Sequence, residues 1–401
     1  MAKYTPLAFE INLQAQDANG FVIEVGSLFE AFCRVHDQRD ARGLRYALVT
    51  VLVFTVLAKL AGENHLRGIA QWVRRRAVLL ATFLRLAKVQ APHATTYSRI
   101  LGKAIQIEEF EQVSRDFFAQ QPKAGTSVQI TLDGKTMRGT IPAGQSQGIH
   151  LLAAFLPDEG WVLFQVEVGS KENEIPAAGR VLKCLDLRGK IITGDAMLAQ
   201  RDLSLQILQA GGAYVWIIKD NQPETREDIE RLFAPEPVVK GFSPAAQDDF
   251  DTAETVEKSH GRMEHRQMTV SSALKGYLNW PGAEQVFKLE RHFERMKDGQ
   301  VMEEVVYGVT SLTAQEASPE RLLRLIRKHW QIENGLHYRR DDTLKEDRCT
   351  LRRGHAAEAM AVINNVILGL LLRRGVKNVP DARRDFDADP KQAFDLIVGH
   401  A

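Results

Sequence analysis

The sequence has few cysteines, only three in 401 residues, and they lie far apart at Cys33, Cys184 and Cys349. No CxxC spacing occurs, and the number is odd. A disulfide framework and a structural zinc site both need paired or closely spaced ligands, so the sequence supports neither. Such sparse cysteines are typical of a protein in a reducing, cytoplasmic compartment.

Long apolar runs are also missing. One candidate, residues 47–62, is shorter than the ~20 residues that span a bilayer, and it contains Lys59. A second run, residues 356–372, contains Glu358, Asn364 and Asn365. Both runs therefore predict buried helices and no membrane span. The first residues, MAKYTPLAFE, lack the basic segment and apolar run of a secretory signal.

The chain has no large excess of one charge, since its formal net charge is +1. The distribution is uneven, because residues 1–105 contain 14 Lys and Arg against 7 Asp and Glu. A basic module joined to a more acidic one is typical of a DNA-binding arm attached to a metal-binding catalytic core. A basic, solvated surface without a partner is the alternative that charge alone leaves open.

The pattern of the sequence changes near residue 122. Apolar residues in roughly the first 105 positions recur with a helical period. After the loop signal Pro122-Lys-Ala-Gly, short β-rich and helical runs follow in the order β-β-β-α-β-α-β, which predicts a mixed α/β layer. Further strands are predicted at residues 262–271, 286–293 and 304–310. Ser318-Pro-Glu then favours the start of a long helix, with serine as N-cap and proline at the first helical position.

Two aspartates stand at the predicted ends of apolar strands. Asp133 follows an apolar run in TLDGKTMRGT, and Asp195 follows another in IITGDAM. A carboxylate just beyond a buried strand, beside glycine, is typical of a site at the carboxyl edge of a sheet. Asp133-Gly134 and Gly194-Asp195 could equally be simple turns.

A third acid, Glu333, lies within the long predicted helix, in HWQIENGLHY. It shares one helical face with Ile326 and Trp330, which we expect to point inward. An isolated helical glutamate is usually solvated, so this shared face is what singles Glu333 out. His329 and His337 flank it, but the HExxH order of a zinc-binding helix is absent.

Three carboxylates suit the cleavage of a phosphodiester bond. Two Mg²⁺ or Mn²⁺ ions ~3.5–4 Å apart activate the nucleophile, stabilise the developing charge and assist the leaving oxygen. Mg²⁺ prefers oxygen ligands, so we expect Asp133 to bridge the ions and Asp195 and Glu333 to ligate them. Basic side chains that could bind the phosphates of a cut strand are Lys135, Arg138, Lys219, Arg262, Arg266, His329 and Arg340.

Taken together, the motifs resemble a known family. Segments similar to those of the DDE transposases of bacterial insertion sequences, in particular the H-repeat-associated subgroup, are TLDGKTMRGT, HLLAAF, GSKENEIPAA, ITGDAM, GGAYVWIIKDNQ, HGRMEHR and RKHWQIENGLHYRRDDTLKED. The N-terminal segment FCRVHDQRDARGLRY also resembles that subgroup's associated domain. The resemblance covers residues 25–375, most of the chain.

The resemblance implies an α/β fold: a ribonuclease H-like mixed-sheet catalytic core with a β-rich insertion, preceded by an α-helical N-terminal domain. The implied boundaries are 1–122 for the basic N-terminal domain, 123–375 for the core with its insertion at 245–312, and 376–401 for a C-terminal tail. The implied activity is metal-dependent cleavage and strand transfer at insertion-sequence ends. The implied partners are double-stranded DNA, as terminal inverted repeats and target, and a second copy of the chain. A structure-specific nuclease on the same core and a DNA-binding protein that no longer cuts are the alternatives.

Around the third acid the sequence departs from the Tyr-Arg-Glu-Lys signature of related transposases. Glu333 matches, but Ile326 and His329 stand at the tyrosine and arginine positions, and Arg340 stands at the lysine position. Arginine and lysine are not interchangeable at a shaped phosphate site. His329 and Arg340 are therefore candidates for phosphate contact only. The rival third ligands are Asp342, Glu346 and Asp347.

Overall fold

The computed structural model describes residues 26–40, 42, 44–84, 90–121, 125, 127–169, 172–234, 249–259 and 261–399. The described part begins with helices that pack around an apolar interior. These are α1 (Leu28–Cys33), α2 (Leu48–Leu60), α3 (Leu66–Arg75), α4 (Ala77–Phe83), α5 (Ala94–Lys103) and α6 (Ile107–Ala119). Helix α2 is buried nearly all round, because its sequence LVTVLVFTVLAKL offers no polar face. The prediction of a helical N-terminal region with a buried apolar helix is confirmed.

A mixed sheet follows, with the strand order β3-β2-β1-β4-β5-β9-β8-β7-β6. Its first five strands are β1 (Gln129–Thr136), β2 (His150–Leu156), β3 (Trp161–Val168), β4 (Ile191–Gly194) and β5 (Ala213–Ile218). Strands β1 to β3 are antiparallel neighbours, whereas β4 and β5 run parallel to β1. Helices α7 (Glu174–Lys183) and α8 (Arg201–Gln209) make the crossovers between the parallel strands. The predicted element order and the mixed α/β layer are confirmed.

The β-rich insertion extends this sheet and forms no separate one. After α9 (Pro223–Phe233), its strands are β6 (Asp251–Ser259), β7 (Arg262–Ser271), β8 (Gln285–Arg295) and β9 (Val301–Thr310). Strand β9 returns to pair antiparallel with β5. The sequence did not predict β6, because DTAETVEKS lacks apolar alternation. That composition suits an edge strand, whose charges discourage pairing with other chains.

A long helix crosses one face of the sheet. Helix α10 (Pro319–Ile332) starts as predicted, with Ser318 as N-cap and proline at the first position. Its apolar side chains pack against β5, β7, β8 and β9. The helix then continues in π-helical geometry over Glu333–His337 and Arg339–Thr343. Such segments are rare and are frequently found at functional sites.

Three further helices complete the chain: α11 (Ala356–Arg373), α12 (Val379–Ala388) and α13 (Pro390–Val398). In the described part of the chain, α11 alone is long and apolar enough to cross a membrane, and most of it is buried inside the protein. The sequence assigned residues 376–401 to a tail, but α12 and α13 pack on the N-terminal helices. Phe394 stacks on Phe83, and Asp387 accepts a hydrogen bond from the indole N–H of Trp72.

Candidate active site

Strand β1 brings Asp133 close to Asp195. Strand β1 pairs with β4 up to Thr131, which lies opposite Thr193, and the two hydroxyl oxygens are 3.1 Å apart. The paired register ends there, but Asp133 keeps the alternation of β1 and therefore points to the same face as Thr131. Its charge still reaches Asp195, the residue that follows β4, and contributes to the raised pKa of that carboxylate.

The prediction that β1 ends before Asp133 is wrong. The strand continues to Thr136, because residues 133–136 remain paired with β2 after β4 has diverged. Asp133-Gly134 is therefore no turn. At Gly134 a side chain has no room, since a Cβ would lie 2.1 Å from Oε1 of Glu174 and 2.7 Å from Nε2 of His150.

Helix α10 covers the face that carries Asp133. On that same face the side-chain amide of Gln129 donates a hydrogen bond to the carbonyl oxygen of Leu325, at 2.9 Å. Further along the helix, His337 Nε2 lies 2.9 Å from Oδ2 of Asp133. An ionised carboxylate can only accept hydrogen bonds, so His337 Nε2 carries the hydrogen and donates the hydrogen bond to Asp133.

Two histidines bracket Glu333 on this helix. His329 lies four residues before it and His337 four residues after it, and both are close enough to Asp133 to interact with its charge. Glu333 lies between them in the chain, at the start of the π-helical segment. Unlike the two buried histidines, Glu333 is exposed and open to a substrate.

His329 is uncharged at neutral pH. Burial lowers its pKa to about 4, and the nearby carboxylate of Asp133 opposes this shift only in part. His329 therefore adds bulk and hydrogen-bonding capacity to the site, but no positive charge.

Negative charge accumulates at the end of β4. The pKa of Asp195 is raised, first because surrounding atoms partly exclude water from its carboxylate, and then because Glu174 and Asp133 lie nearby. The backbone N–H of Leu198, 3.2 Å from the Asp195 carboxylate, opposes this increase. A cation at this edge of the sheet would relieve the repulsion between the carboxylates.

Sequence reasoning missed Glu174 and His150. Glu174 is the first residue of α7, after the N-cap Asn173, and His150 Nε2 donates a hydrogen bond to it at 2.8 Å. The signal was present in GSKENEIPAA, where asparagine and glutamate precede a helical run. An acid at a helix start is common, so the pattern alone did not indicate that it approaches Asp195.

The donor chemistry fits a hard divalent cation, because Asp133, Asp195 and Glu333 all offer carboxylate oxygens. In the described part of the chain, however, no three His, Cys, Asp or Glu side chains converge closely enough to hold a metal ion. One oxygen of Asp133 already accepts the His337 hydrogen bond. Asp133 and Asp195 lie near each other at the sheet, and Glu333 lies on the helical segment that His337 joins to Asp133.

The nearest rivals to Glu333 have other partners. Glu346 is buried, accepts hydrogen bonds from Arg340 at 2.8 Å and from Asn364 at 2.7 Å, and is 1% exposed. Burial alone would raise its pKa, but Arg340 and Lys135 outweigh it and lower the pKa to about 2. The other two rivals are also ion-paired, Asp347 with Lys135 and Arg138, and Asp342 with Lys345.

Four of the seven predicted phosphate contacts are buried: Lys135, Arg266, His329 and Arg340. The Lys135 ammonium lies among three carboxylates, 2.5 Å from Asp341 and 3.2 Å from Asp347. The sequence predicted that these four side chains bind phosphates, whereas the structure buries them. A sequence shows that a residue is charged but not which partner neutralises it. The other three side chains are exposed: Arg138, Lys219 and Arg262.

Comparison with known proteins identifies relatives that cover most of the chain. A family model described as "Transposase DDE domain" matches residues 125–370, and one described as "DDE_Tnp_1-associated" matches residues 29–118. The transposase YncI of Escherichia coli O157:H7 is 29% identical over 88% of this chain and 91% of its own. The H repeat-associated transposase YhhI of Escherichia coli K12 is 27% identical over 87% and 91%. A solved piggyBac transposase synaptic complex with hairpin DNA has a TM-score of 0.44 at 12% identity, covering 93% of this chain and 77% of that one.

Proposed function

The chain belongs to the transposases with a DDE domain, and from this premise we propose that Asp133, Asp195 and Glu333 are its three catalytic carboxylates. The observation that carries the proposal is the shared face of β1, β4 and α10. In support, Asp133 lies near enough to Asp195 to help raise its pKa, and His337, which binds Asp133, lies four residues beyond Glu333 on the same helical segment. The buried, ion-paired state of Glu346 supports Glu333 as the third member.

We propose a ribonuclease H-like core made of β1 to β5 with helices α7, α8 and α10. Three antiparallel strands followed by two parallel strands put both aspartates near the middle of the sheet. The proposed boundaries are residues 1–122 for the N-terminal domain and 123–375 for the core with its insertion. The central position of the aspartates gives them a rigid backbone, which suits groups that must hold a fixed geometry.

The family implies dependence on a divalent metal, and we propose two Mg²⁺ or Mn²⁺ ions held by the three carboxylates. When bound, such ions supply a water-derived nucleophile and neutralise charge on the attacked phosphate. Asp133, whose charge reaches Asp195, is the candidate bridge. Its Oδ2 accepts the His337 hydrogen bond and its Oδ1 accepts one from the Gly134 backbone N–H at 3.0 Å, and each oxygen has a further lone pair that could ligate a cation.

The proposed substrate is double-stranded DNA, taken as terminal inverted repeats and as target. Arg138, Lys219 and Arg262 are the exposed candidates for contacting its phosphates. Because two element ends must be cut together, the proposed working unit is a homodimer on DNA. The proposed location is the bacterial cytoplasm, at the nucleoid.

Cleavage and joining of labelled duplexes test this function. The duplexes carry the inverted repeats that flank the protein's own gene, and the reactions contain Mg²⁺ or Mn²⁺. We expect Asp133→Asn, Asp195→Asn and Glu333→Gln each to reduce cleavage by more than the roughly 10–100-fold that loss of an outer-shell partner costs. Asp342→Asn, a surface acid close to Glu333 in the chain, is the matched control and should retain activity.

Full cleavage by any one of the three variants would remove that residue from the triad. Cleaved ends that never join to target DNA would identify a nuclease on the same core. Duplex binding without cleavage by the wild-type protein in either metal would identify a DNA-binding protein that no longer cuts.

A further inference from the structure

A groove of about 800 Å³ lies on the N-terminal side of the molecule, away from the acids described above. It is formed by the loop before α2, by one face of α5, and by the segment just before α11. Its cationic lining residues are Arg39, Arg42, Arg45, Arg99, Lys103 and Arg353. Asp40 is the one carboxylate that lines it, so the groove carries a strong positive charge.

Most of these cations have no carboxylate partner within the part of the chain that the structure describes. Arg39 is paired with Asp37, and Arg45 donates hydrogen bonds to the neutral amide oxygen of Gln90. Among the described residues, the other four cations of the groove have no ion pair with a carboxylate: Arg42, Arg99, Lys103 and Arg353. All four are exposed. Unpaired cations that converge in one groove raise the local potential and attract a polyanion.

Two distant parts of the chain that line the groove are held against each other. Thr96, Arg99 and Lys103 line it at a spacing of three and four residues, so they lie on one face of α5. The backbone of Gly102 touches the segment that carries Arg353, since a Cβ there would lie 2.1 Å from the Arg353 carbonyl oxygen. His355 N–H also donates to the Gly102 carbonyl oxygen. The arginine from the core side is therefore fixed relative to the cations of α5.

We propose that this groove binds the sugar–phosphate backbone of duplex DNA and so provides a second contact to the substrate, outside the catalytic site. The inference rests on the proposed DNA substrate. Arginine and lysine are the side chains that neutralise phosphates and release counterions. Tyr46 is the one aromatic side chain in the lining, and Arg45 lies over its ring. A groove that binds single strands would offer several open rings for base stacking, so a duplex fits better.

Salt-dependent binding tests this contact. Fluorescence anisotropy measures the affinity of the full chain for a labelled duplex about 30 base pairs long. EDTA is present so that no strand is cut, and the KCl concentration is varied. Each neutralised phosphate contributes about −0.9 to the slope of log K against log salt. We expect the triple variant Arg45→Gln, Arg99→Gln, Lys103→Gln to reduce the magnitude of the slope by about 2 to 3 and to weaken binding at low salt by at least 10-fold.

The matched control removes the same number of exposed cations from a neighbouring helix. The triple variant Arg67→Gln, Arg74→Gln, Arg75→Gln lies on α3, outside the groove. It should leave the slope within about 1 of the wild-type value. Equal thermal melting of both variants shows that each is folded.

Three results would overturn the proposal: an unchanged slope in the groove variant, an equal loss in the α3 control, or a single strand of the same length that binds as tightly through the same residues. The results also distinguish failure of the groove proposal from failure of the proposed catalytic function. A wild-type protein that cleaves DNA but binds it independently of the groove refutes only the groove. A protein that never cleaves but loses its salt slope in the groove variant refutes only the catalytic proposal.

Discussion

At the residue scale, the hydrogen bond from His337 to Asp133 is the direct link between helix and sheet at the site. His337 is 4% exposed, and its Nε2 is 2.9 Å from the carboxylate. A buried hydrogen-bond donor holds the side chain of the acid that it contacts in one rotamer. His337 is therefore a positioning residue for Asp133.

His337→Ala should reduce cleavage by about 10–100-fold, because Asp133 loses its orienting donor. His337→Gln should restore part of the activity, since its amide N–H can donate to the same oxygen. Titration of the protein with Mn²⁺ should show weaker binding in the alanine variant and partial recovery in the glutamine variant.

The control for His337 is another histidine paired with a carboxylate. His265 lies 3.1 Å from Glu254 on the exposed part of the insertion, so His265→Ala should change neither metal affinity nor cleavage. Equal Mn²⁺ affinity in wild type and His337→Ala would show that the hydrogen bond has no positioning role.

Gly134→Ala should lower stability by about 0.5–1.5 kcal/mol, the net value of one lost hydrogen bond. The new Cβ would displace Glu174 and break its hydrogen bond with His150. Urea unfolding measures the change. Gly179→Ala in α7 is the control: its Cβ would meet nothing closer than 3.5 Å, and alanine favours a helix. A Gly134→Ala variant as stable as the control would contradict this account.

At the scale of elements, the insertion holds α10 through stacked side chains. The Arg291 guanidinium of β8 lies 4.0 Å from the ring centre of Trp330, three residues before Glu333. Arg327 of α10 also donates to Glu257 of β6, at 2.6 Å. Because both contacts lie in the half of α10 nearest Glu333, the insertion helps to fix the helix end that enters the site.

Arg291→Ala should destabilise the protein by about 1–2 kcal/mol, because it removes a partly desolvated cation–π contact with Trp330 together with the ion pairs to Glu264 and Glu304. Arg291→Lys should lose less stability than Arg291→Ala, because lysine keeps the charge but not the planar stacking on Trp330. Differential scanning calorimetry measures both. Arg295→Ala removes an exposed arginine of the same strand that is paired only with Asp298; a drop in melting temperature as large as that of Arg291→Ala would contradict the stacking argument.

Sequence patterns predicted the main elements well where burial left a clear periodicity. Strands β2, β3 and β7, the buried helices α2 and α11, and the start of α10 were all predicted from apolar spacing and capping residues. The edge strand β6 was missed because it buries little. The full length of β1 was missed because its last residues are held by pairing with β2, which no local pattern reveals.

The proximity of Asp133 and Asp195 could be predicted from the sequence, whereas the catalytic role of the three acids stays a prediction. The positions of Asp133 and Asp195 after apolar runs indicated a shared edge of the sheet. The roles of Glu174, His150 and His337 depend on contacts between elements distant in sequence. For the same reason, the buried ion pair of Arg340 with Glu346 could not be distinguished from an exposed, phosphate-binding arginine.

At the scale of the whole molecule, one buried acid makes stability depend on pH. Glu111 of α6 lies against Gln165 of β3, and burial raises its pKa to about 8. In the unfolded chain this carboxyl ionises near its ordinary value of 4.5. At a pH between these two pKa values, the folded state binds one more proton than the unfolded chain. The free energy of unfolding therefore falls as pH rises from about 4.5 to 8.

Glu111→Gln should remove this pH dependence, because the amide stays neutral. Relative to wild type, its melting temperature should rise at pH 8 by at least about 2 °C and should differ little at pH 5. Glu108→Gln, at an exposed position of the same helix, is the control. A constant difference between Glu111→Gln and wild type from pH 5 to pH 9 would refute the assignment.

The unbroken ladder from β3 to β6 also bears on aggregation. Strand β9 covers the side of β5 that would otherwise be an open edge, and α10 follows directly after it. Excising the insertion as a unit would expose the main-chain groups of a strand whose residues are almost all apolar, AYVWII. An open apolar edge of this kind recruits strands from other chains. The insertion therefore covers the edge of β5 with β9. We expect shortening to be tolerated only at the strand ends farthest from β5, near Arg262 and Arg295, because this leaves the pairing of β9 with β5 in place.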